Sequence, residues 1–196
     1  MVNAAFMEFM AEFIRLKVGG SKRLFHKVRP MKQWKMKSVI GDLYLVASEV
    51  GLRGIYAEQQ SVPMLSTLRN SEIETAFLAQ AVRQLQEYFS CERRIFDLPL
   101  DVCGTDFQKR VWKALLAIPY GQTRSYLDIA RAIKNEKAVR AVGSANGKNP
   151  LWIIVPCHRV IAANGTIGGY AGGLKIKKQL LELEGAETNG LSITSH

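Results

Sequence analysis

Apolar and polar residues alternate between residues 33 and 59, a pattern typical of strands with one buried face. The alternation occupies three stretches, WKMKSV, DLYLVAS after Gly41 and LRGIYAE after Gly51. Turn-forming residues separate these stretches, so the pattern predicts consecutive strands joined by short connections.

The apolar spacing then lengthens to about 3.6 residues in SEIETAFLAQAVRQLQEYF, which predicts a helix. Ser71 and Glu74 fit a capping box at its start. The ERRIFDLPLDV segment that follows contains Pro99, which disfavours a long helix and predicts extended chain. One face of the predicted helix is apolar and consists of Ile73, Phe77, Leu78, Ala81, Val82, Leu85 and Phe89.

Helical spacing dominates the second half of the chain. Thr105 and Gln108 fit a capping box that opens DFQKRVWKALLAI, and Ser125 is placed to cap YLDIARAI. A short break precedes EKAVRAVGSAN, which Gly147 ends. Two short helices joined by a tight turn predict a helix-turn-helix.

The chain after Pro150 combines apolar and turn-rich sequence. LWIIV predicts a buried strand, Asn164-Gly165 predicts a hairpin turn, and GGYAGG predicts a loop. LKIKKQLLELE predicts a last helix.

These elements predict an α+β protein made of two small domains. Residues 31–100 form an N-terminal α+β domain, and residues 101–187 form a mainly helical domain. Residues 1–30 are an N-terminal extension whose apolar spacing predicts a short amphipathic helix. Residues 188–196 are polar and predict a flexible tail.

Charge and cysteine usage narrow the class of protein. The net charge is +10 and the pI is about 9.7, which favours a polyanionic partner, either nucleic acid or an acidic membrane surface. The N-terminus has no long apolar run, which argues against a secretory signal or a membrane span. Cys91, Cys103 and Cys157 are odd in number and form no CxxC pair, which argues against a disulfide framework or zinc cluster and predicts a reducing, intracellular compartment.

The segment NPLWIIVPCHRV places Cys157 and His158 side by side after Pro156. A lone cysteine is most often a small core hydrophobe. Its alternative role is that of a nucleophile, because His158 can take the thiol proton and leave a reactive thiolate. Adjacent strand residues point to opposite faces, so this transfer needs irregular backbone or a bridging water. Glu184 is one candidate to orient the histidine, and its alternative role is that of a solvated helix end.

The segment AVRAVGSANG forms an unusually small helix surface that another surface can approach closely. Arg140 stands out on it, either as an ordinary surface charge or as a side chain that reaches into a duplex. Further cations near it favour contacts with phosphates; they are Arg131, Lys134, Lys137 and Lys148.

The segments AVRAVGSANGKNP, IIVPCHRV and GGYAGGLKIKKQLLELEG together resemble the 6-O-alkylguanine-DNA alkyltransferases, also called methylated-DNA–protein-cysteine methyltransferases. The similarity is strong from about residue 101 to residue 185 and weaker over residues 33–100. It implies a ribonuclease H-like N-terminal domain and a winged-helix-like DNA-binding domain with a helix-turn-helix.

The resemblance implies four catalytic roles. Cys157 is expected to accept the alkyl group, with His158 as its water-relayed base and Glu184 orienting that base. Tyr126 matches a tyrosine whose hydroxyl hydrogen-bonds the guanine and can donate a proton to it.

The resemblance also implies the substrate-binding and DNA-binding residues. Asn149 matches an asparagine that buttresses the turn before the cysteine, and Arg140 matches the arginine that fills the space left by the rotated nucleotide. Asn135 matches a DNA contact. Tyr170 and Ala171 are expected to line the pocket for the base. Close approach of the DNA is expected along the small helix surface, which includes Gly143.

The implied function is DNA repair by single-turnover transfer of an alkyl group from 6-O-alkylguanine, after base flipping. The implied partner is double-stranded DNA, bound through its minor groove by a monomer with no membrane association. No cofactor is expected, and no zinc site, because residues 1–90 contain no cysteine and only His26. The compartment is cytoplasmic, or nuclear in a eukaryote. Ala171 stands where some members have serine, so tolerance of bulkier alkyl groups is expected to differ.

Two other functions stay open at this point. The chain is either a DNA-binding module that recognises alkylguanine without repairing it, or a thiol hydrolase that uses Cys157 and His158 on acyl substrates. Retention of the cysteine disfavours the first, and the basic charge together with Arg140 disfavours the second.

Overall fold

The structure is a computed structural model that describes residues 31–68 and 73–186. The predicted N-terminal amphipathic helix, the helix cap at Ser71 and the predicted tail lie outside the described residues. Within the described part of the chain, none of the helices is both long and apolar enough to span a membrane.

The N-terminal sheet follows the predicted alternation. Strands β1 (Met31–Ser38), β2 (Gly41–Ser48) and β3 (Leu52–Tyr56) pair antiparallel in that order. Gly41 has φ +111°, a conformation that glycine adopts without strain, and it closes the tight turn between β1 and β2. Leu43, Leu45 and their same-face neighbours are buried, so one face of the sheet carries the core.

Helix α1 (Ile73–Phe89) covers the buried face of this sheet. The prediction of its apolar face was wrong at one end, since Ile73 is 53% exposed. At about 100° per residue, Ile73 lies roughly 140° around the helix from Leu78, and so it faces away from the sheet. The buried side includes Leu78, Leu85 and Tyr88, and the last of these was absent from the predicted face.

The C-terminal domain begins with α2 (Asp106–Leu116), followed by a short strand β4 (Arg124–Ser125) and α3 (Tyr126–Ala132). Both helix starts have the predicted side-chain caps. Thr105 and Gln108 form a reciprocal capping box, and Ser125 forms one with Asp128.

The helix-turn-helix consists of α3 and a second helix, α4 (Val139–Gly147), which one turn of 3₁₀ helix precedes. The predicted break between them is confirmed, because Lys134 has φ +57° and ends the first helix. The two helices pack against each other, and each contributes buried apolar residues to the core, among them Ile129 and Val142. The Trp112 indole of α2 donates to the Ala145 carbonyl at 2.8 Å and joins α2 to this pair.

The prediction of a strand over residues 151–155 was wrong. This apolar segment is a buried turn, in which Ile153 has φ +71° and only Leu151 makes a bridge, with Ile55 of β3. An unbroken apolar run has no period that separates a strand from other buried structure. Cys157 does not follow a strand but begins one turn of 3₁₀ helix, Cys157–Arg159.

The chain then forms β5 (Val160–Ile161), which pairs in parallel with β4. The chain does turn at Asn164-Gly165, with Gly165 at φ +79°, but the prediction of a hairpin was wrong, because no strand follows in residues 166–173 and β5 pairs with β4 instead. The last helix, α5 (Leu174–Leu183), has Glu184 at its C-cap. One apolar core runs through both domains, so the fold is the expected α+β arrangement of a small sheet domain and a mainly helical domain.

Candidate active site

Asn149 stabilises the buried turn that precedes Cys157. Its side-chain amide donates to the Val155 carbonyl at 2.8 Å and accepts from the Leu151 N–H at 3.0 Å. These bonds satisfy backbone groups that the turn would otherwise leave unpaired in the interior. Asn146 adds a contact at the end of the turn, because its amide donates to the Cys157 carbonyl at 3.3 Å.

The Cys157 side chain is only 2% exposed, so its thiol lies in an apolar environment. Burial raises the pKa of the Cys157 thiol, while the Asn149 amide, the Lys177 ammonium and the Tyr170 hydroxyl act in the opposite direction. The resting cysteine is therefore a neutral thiol that has groups nearby to stabilise its thiolate. A base is needed to form the nucleophile.

His158 is fully buried and hydrogen-bonds Glu184, the residue expected to orient it. Its Nε2 lies 2.9 Å from Oε1 of the carboxylate, so the ring donates its Nε2–H there. Nδ1 is then the acceptor nitrogen, and it has no hydrogen-bond partner among the described residues. Burial lowers the pKa of His158, so the ring is neutral at rest and can accept a proton.

The Glu184 carboxylate is buried and receives donors from several parts of the fold. Arg159 donates to both of its oxygens, from Nε at 2.8 Å and from a terminal nitrogen at 2.9 Å. The Tyr88 hydroxyl donates at 2.8 Å and the Gly121 N–H at 3.2 Å. Burial alone would raise the pKa of Glu184, but the hydrogen bonds from His158 and Arg159 outweigh it and lower the pKa to about 2. The carboxylate is thus ionised at neutral pH.

Lys177 places a buried cation near the thiol. Its side chain is fully buried, and its ammonium donates to the carbonyls of Val160 at 2.5 Å and Gly168 at 3.1 Å. Burial lowers the pKa of Lys177 to about 8, and the neighbouring Cys157 acts against that shift. A lysine in this position stabilises a thiolate by charge.

Tyr126 and Tyr170 bring two hydroxyl groups to the same place. Burial raises the pKa of both phenols, and the neighbouring Cys157 sulfur raises them further. The Tyr126 ring packs where glycines leave room, since a Cβ atom on Gly143 would lie 3.8 Å from the ring and one on Gly168 would lie 3.0 Å from its hydroxyl. The small residues of α4 and of the glycine-rich loop therefore admit the tyrosine beside the cysteine.

Buried polar atoms without partners are concentrated at this site. Four side-chain atoms of this kind occur in residues 31–68 and 73–186, and three belong to residues around Cys157: Asn146, His158 and Tyr170. Buried polar groups are normally hydrogen-bonded, so this clustering distinguishes the surroundings of Cys157 from the rest of the described interior. Over the same residues no cluster of three or more His, Cys, Asp or Glu side chains is arranged to hold a metal ion.

The predicted DNA contacts lie apart from this buried centre. Arg140 is exposed on the first turn of α4, and Asn135 is exposed in the turn before it. Ala171 is also exposed, whereas the Tyr170 hydroxyl next to it in sequence is buried. Exposed cations surround Arg140 on the helix-turn-helix and make this a basic surface; they are Arg131, Lys134, Lys137 and Lys148.

Four residues around the site were not predicted from the sequence: Tyr88, Asn146, Arg159 and Lys177. The sequence does mark Lys177 as unusual, because it lies three residues after Leu174 and four before Leu181, on the apolar stripe of α5. A charged residue at an interior position of such a stripe indicates a buried function. No such feature marks Tyr88 in the sequence, because its partner Glu184 is 96 residues away.

Comparison with known proteins finds family matches in both halves of the chain. Residues 31–102 match the family model for the ribonuclease-like domain of 6-O-methylguanine DNA methyltransferase, and residues 106–186 match the one for its DNA-binding domain. A methylated-DNA–protein-cysteine methyltransferase of Methanosarcina acetivorans is 50% identical over 151 residues, which are 76% of this chain and 96% of the relative. The constitutive one of Bacillus subtilis is 49% identical over 148 residues, 74% of this chain and 90% of the relative.

Solved structures agree as well. The crystal structure of Mycobacterium tuberculosis O6-methylguanine methyltransferase has a TM-score of 0.70 and 44% identity, covering 79% of this chain and 93% of its own. The structure of M. tuberculosis OGT in complex with DNA has the same TM-score and identity, covering 80% of this chain and 96% of its own. The fold and these matches define a DNA-repair transferase. The chain belongs to the methylated-DNA–protein-cysteine methyltransferase family.

Proposed function

We propose that Cys157 accepts the alkyl group of a 6-O-alkylguanine base in double-stranded DNA, with His158 as its base. The observation that carries this proposal is that the two nitrogens of the His158 imidazole differ in their hydrogen bonding. Nε2 is hydrogen-bonded to Glu184, and Nδ1 is an acceptor without a partner among the described residues, on the residue that follows the buried Cys157 in the chain. A neutral thiol next to a neutral imidazole is the resting state of a nucleophile that is activated when the substrate binds.

The chemistry is a displacement at carbon. The thiol proton passes to Nδ1 of His158 through a bridging water, and the sulfur attacks the alkyl carbon on guanine O6. A sulfur–carbon bond forms as the carbon–O6 bond breaks, and the electron pair of the broken bond stays with the guanine. Tyr126 donates its hydroxyl proton to the guanine, and the proton on His158 returns to Tyr126 through solvent, so that charge balances. The thioether product is stable, so each molecule acts once.

Electrostatic stabilisation by the surrounding side chains supports the displacement. Lys177 is the buried cation near the thiol, and its charge favours the attacking thiolate over the neutral thiol. Asn149 and Tyr170 bring dipoles that act in the same direction. Glu184 favours the protonated form of His158, which exists only after the thiol has lost its proton.

Extrusion of the base is part of the proposal, because a buried thiol cannot reach a guanine inside the duplex stack. The basic surface around Arg140 is suited to phosphate contacts, and the small residues of α4 allow close approach through the minor groove. Arg140 fills the space that the extruded nucleotide leaves, and Asn135 contacts the DNA beside it. Tyr170 and Ala171 line the path of the base.

Peptide mass spectrometry after exposure to an oligonucleotide duplex with 6-O-methylguanine tests this proposal. We expect one methyl group per protein molecule, located on Cys157 and lost in Cys157→Ala. The exposed cysteines provide matched controls, so Cys91→Ala and Cys103→Ala should keep full methylation. Tight binding of the duplex with Cys157 unmodified would overturn the proposal in favour of a non-catalytic DNA-binding module. Turnover of a thioester without DNA would overturn it in favour of a hydrolase.

A further inference from the structure

The Tyr88 hydroxyl connects the N-terminal domain to the active site. Tyr88 lies near the end of α1 and donates to Oε1 of Glu184 at 2.8 Å, the same oxygen that faces Nε2 of His158. We propose that Tyr88 is a positioning residue that sets the basicity of His158 through Glu184, so that the N-terminal domain takes part in alkyl transfer. This inference rests on the roles proposed above for Cys157 and His158.

The position of the Tyr88 hydroxyl is firmly determined by its surroundings. The side chain is fully buried, and its ring packs in an aromatic cluster with Phe96 and Tyr120, at centroid distances of 5.5 and 6.1 Å. A tyrosine has few rotatable bonds, so packing of the ring leaves the hydroxyl little freedom. Burial together with the Glu184 charge raises the pKa of Tyr88 far above its ordinary value, so it is a neutral donor at any working pH.

The donors on Oε1 compete for the negative charge of the carboxylate. Three groups donate to this oxygen: the Tyr88 hydroxyl, Nε2 of His158 and a terminal nitrogen of Arg159. Each hydrogen bond to the carboxylate reduces the charge that is available to stabilise an imidazolium. The histidine must be neutral before the reaction and must hold a proton during it. A carboxylate with too few donors would raise the pKa of His158 until the ring is protonated at rest, and Cys157 would then have no base.

Other charged and titratable groups lie near His158 and Glu184, on several elements of the fold. Arg159 and Cys157 lie on the same 3₁₀ turn as His158, Lys177 lies on α5, and Tyr120 lies in the loop after α2. Arg159 and Lys177 both lower the pKa of His158 by charge, and Glu184 raises it. Removal of the Tyr88 hydroxyl takes a donor from Glu184 and leaves these charges in place. The pKa of His158 should therefore rise.

The test compares the single-turnover rate of methyl transfer in wild-type protein, Tyr88→Phe and Tyr120→Phe from about pH 5 to pH 8. Tyr120→Phe is the matched control, because its hydroxyl belongs to the same cluster but donates to the Leu183 carbonyl at 3.1 Å and not to the carboxylate. We expect the acid limb of the Tyr88→Phe profile to move to higher pH by roughly half a unit to one unit. The same shift should occur with duplex DNA and with free 6-O-benzylguanine.

A purely structural role would lower the melting temperature of both variants and leave the pH profiles aligned, and that result would overturn the inference. Should Tyr88→Phe fail to fold, site-specific replacement of Tyr88 by 3,5-difluorotyrosine supplies a stronger donor of nearly the same shape. The acid limb of the pH–rate profile of this variant should move to lower pH. An acid limb that stays in place or moves to higher pH would overturn the inference. If the proposed function itself is wrong, wild-type protein will carry no methyl group on Cys157, and this result differs from a failure of the Tyr88 inference alone.

Discussion

Nε2 of His158 lies 2.9 Å from Oε1 of Glu184, and this contact decides which ring nitrogen keeps its lone pair. The carboxylate takes the Nε2–H, so the lone pair is on Nδ1. Glu184 is itself ionised because Arg159 and His158 donate to it in the interior. Four consequences of this site and its surroundings can be measured.

Glu184→Gln should slow methyl transfer by about a hundredfold, because a neutral amide stabilises the protonated His158 less well. It should also cost about 3–5 kcal/mol in the free energy of unfolding at pH 7, since Arg159 is left as a buried charge without its partner. The pKa of Glu184 is about 2 in the folded protein, below its ordinary value of 4.5, so its stabilising contribution is present above pH 4.5 and is lost as the pH falls towards 2. Urea unfolding over this range should show the stability difference between wild type and variant shrinking with acidification. A constant difference would contradict the ionised state of Glu184.

Lys177→Met should slow methyl transfer and alter its dependence on alkaline pH. The pKa of Lys177 is about 8, so its positive charge favours the Cys157 thiolate below pH 8 and is lost above it. The wild-type rate should therefore stop rising, or should fall, beyond pH 8, whereas the variant should show no such break. The matched control is Lys178→Met, because Lys178 is exposed on the surface of α5, where its ammonium lies 3.7 Å from the Glu182 carboxylate. Identical alkaline profiles in wild type and Lys177→Met would exclude this role for the lysine.

Gly168→Ala should impair the reaction without a comparable loss of stability. A Cβ atom at this position would lie 3.0 Å from the Tyr126 hydroxyl, so the tyrosine would have to shift by a few tenths of an ångström from its place near Cys157. We expect the single-turnover rate to fall between about tenfold and a hundredfold. Gly169→Ala is the control, because a Cβ atom there meets nothing within 4 Å. Equal rates for the two variants would mean that the position of the Tyr126 hydroxyl is unimportant.

Arg140→Ala should slow repair of duplex DNA by at least about tenfold and leave the reaction with free 6-O-benzylguanine nearly unchanged. Arg140 is exposed on α4 and lies outside the buried centre, so its substitution should affect base extrusion and not the displacement itself. Arg83→Ala, on the exposed face of α1, removes a charge of the same sign away from the basic surface and serves as the control. Equal losses on both substrates would place Arg140 at the pocket instead.

Local interactions account for the parts of the fold that were predicted correctly. The capping boxes at Thr105 and Ser125 join residues three apart, and the alternation in β1 to β3 reflects one buried face. The buried turn at residues 151–155 could not be predicted in this way. Its apolar run resembles a strand, and the Asn149 amide that satisfies its backbone acts only once the turn is folded.

The sequence by itself determined the pairing of a cysteine with a histidine, the helix-turn-helix with its basic surface and the small residues beside the nucleophile, because these features depend on residue type and short spacing. Tertiary structure alone decided which carboxylate hydrogen-bonds His158, which lysine lies near the thiol, and that Tyr88 of the N-terminal domain reaches Glu184. Such contacts join residues that are far apart in the chain. They form only when the two domains pack around a common core, where burial gives each charge and hydrogen bond its effect on the pKa values of the site.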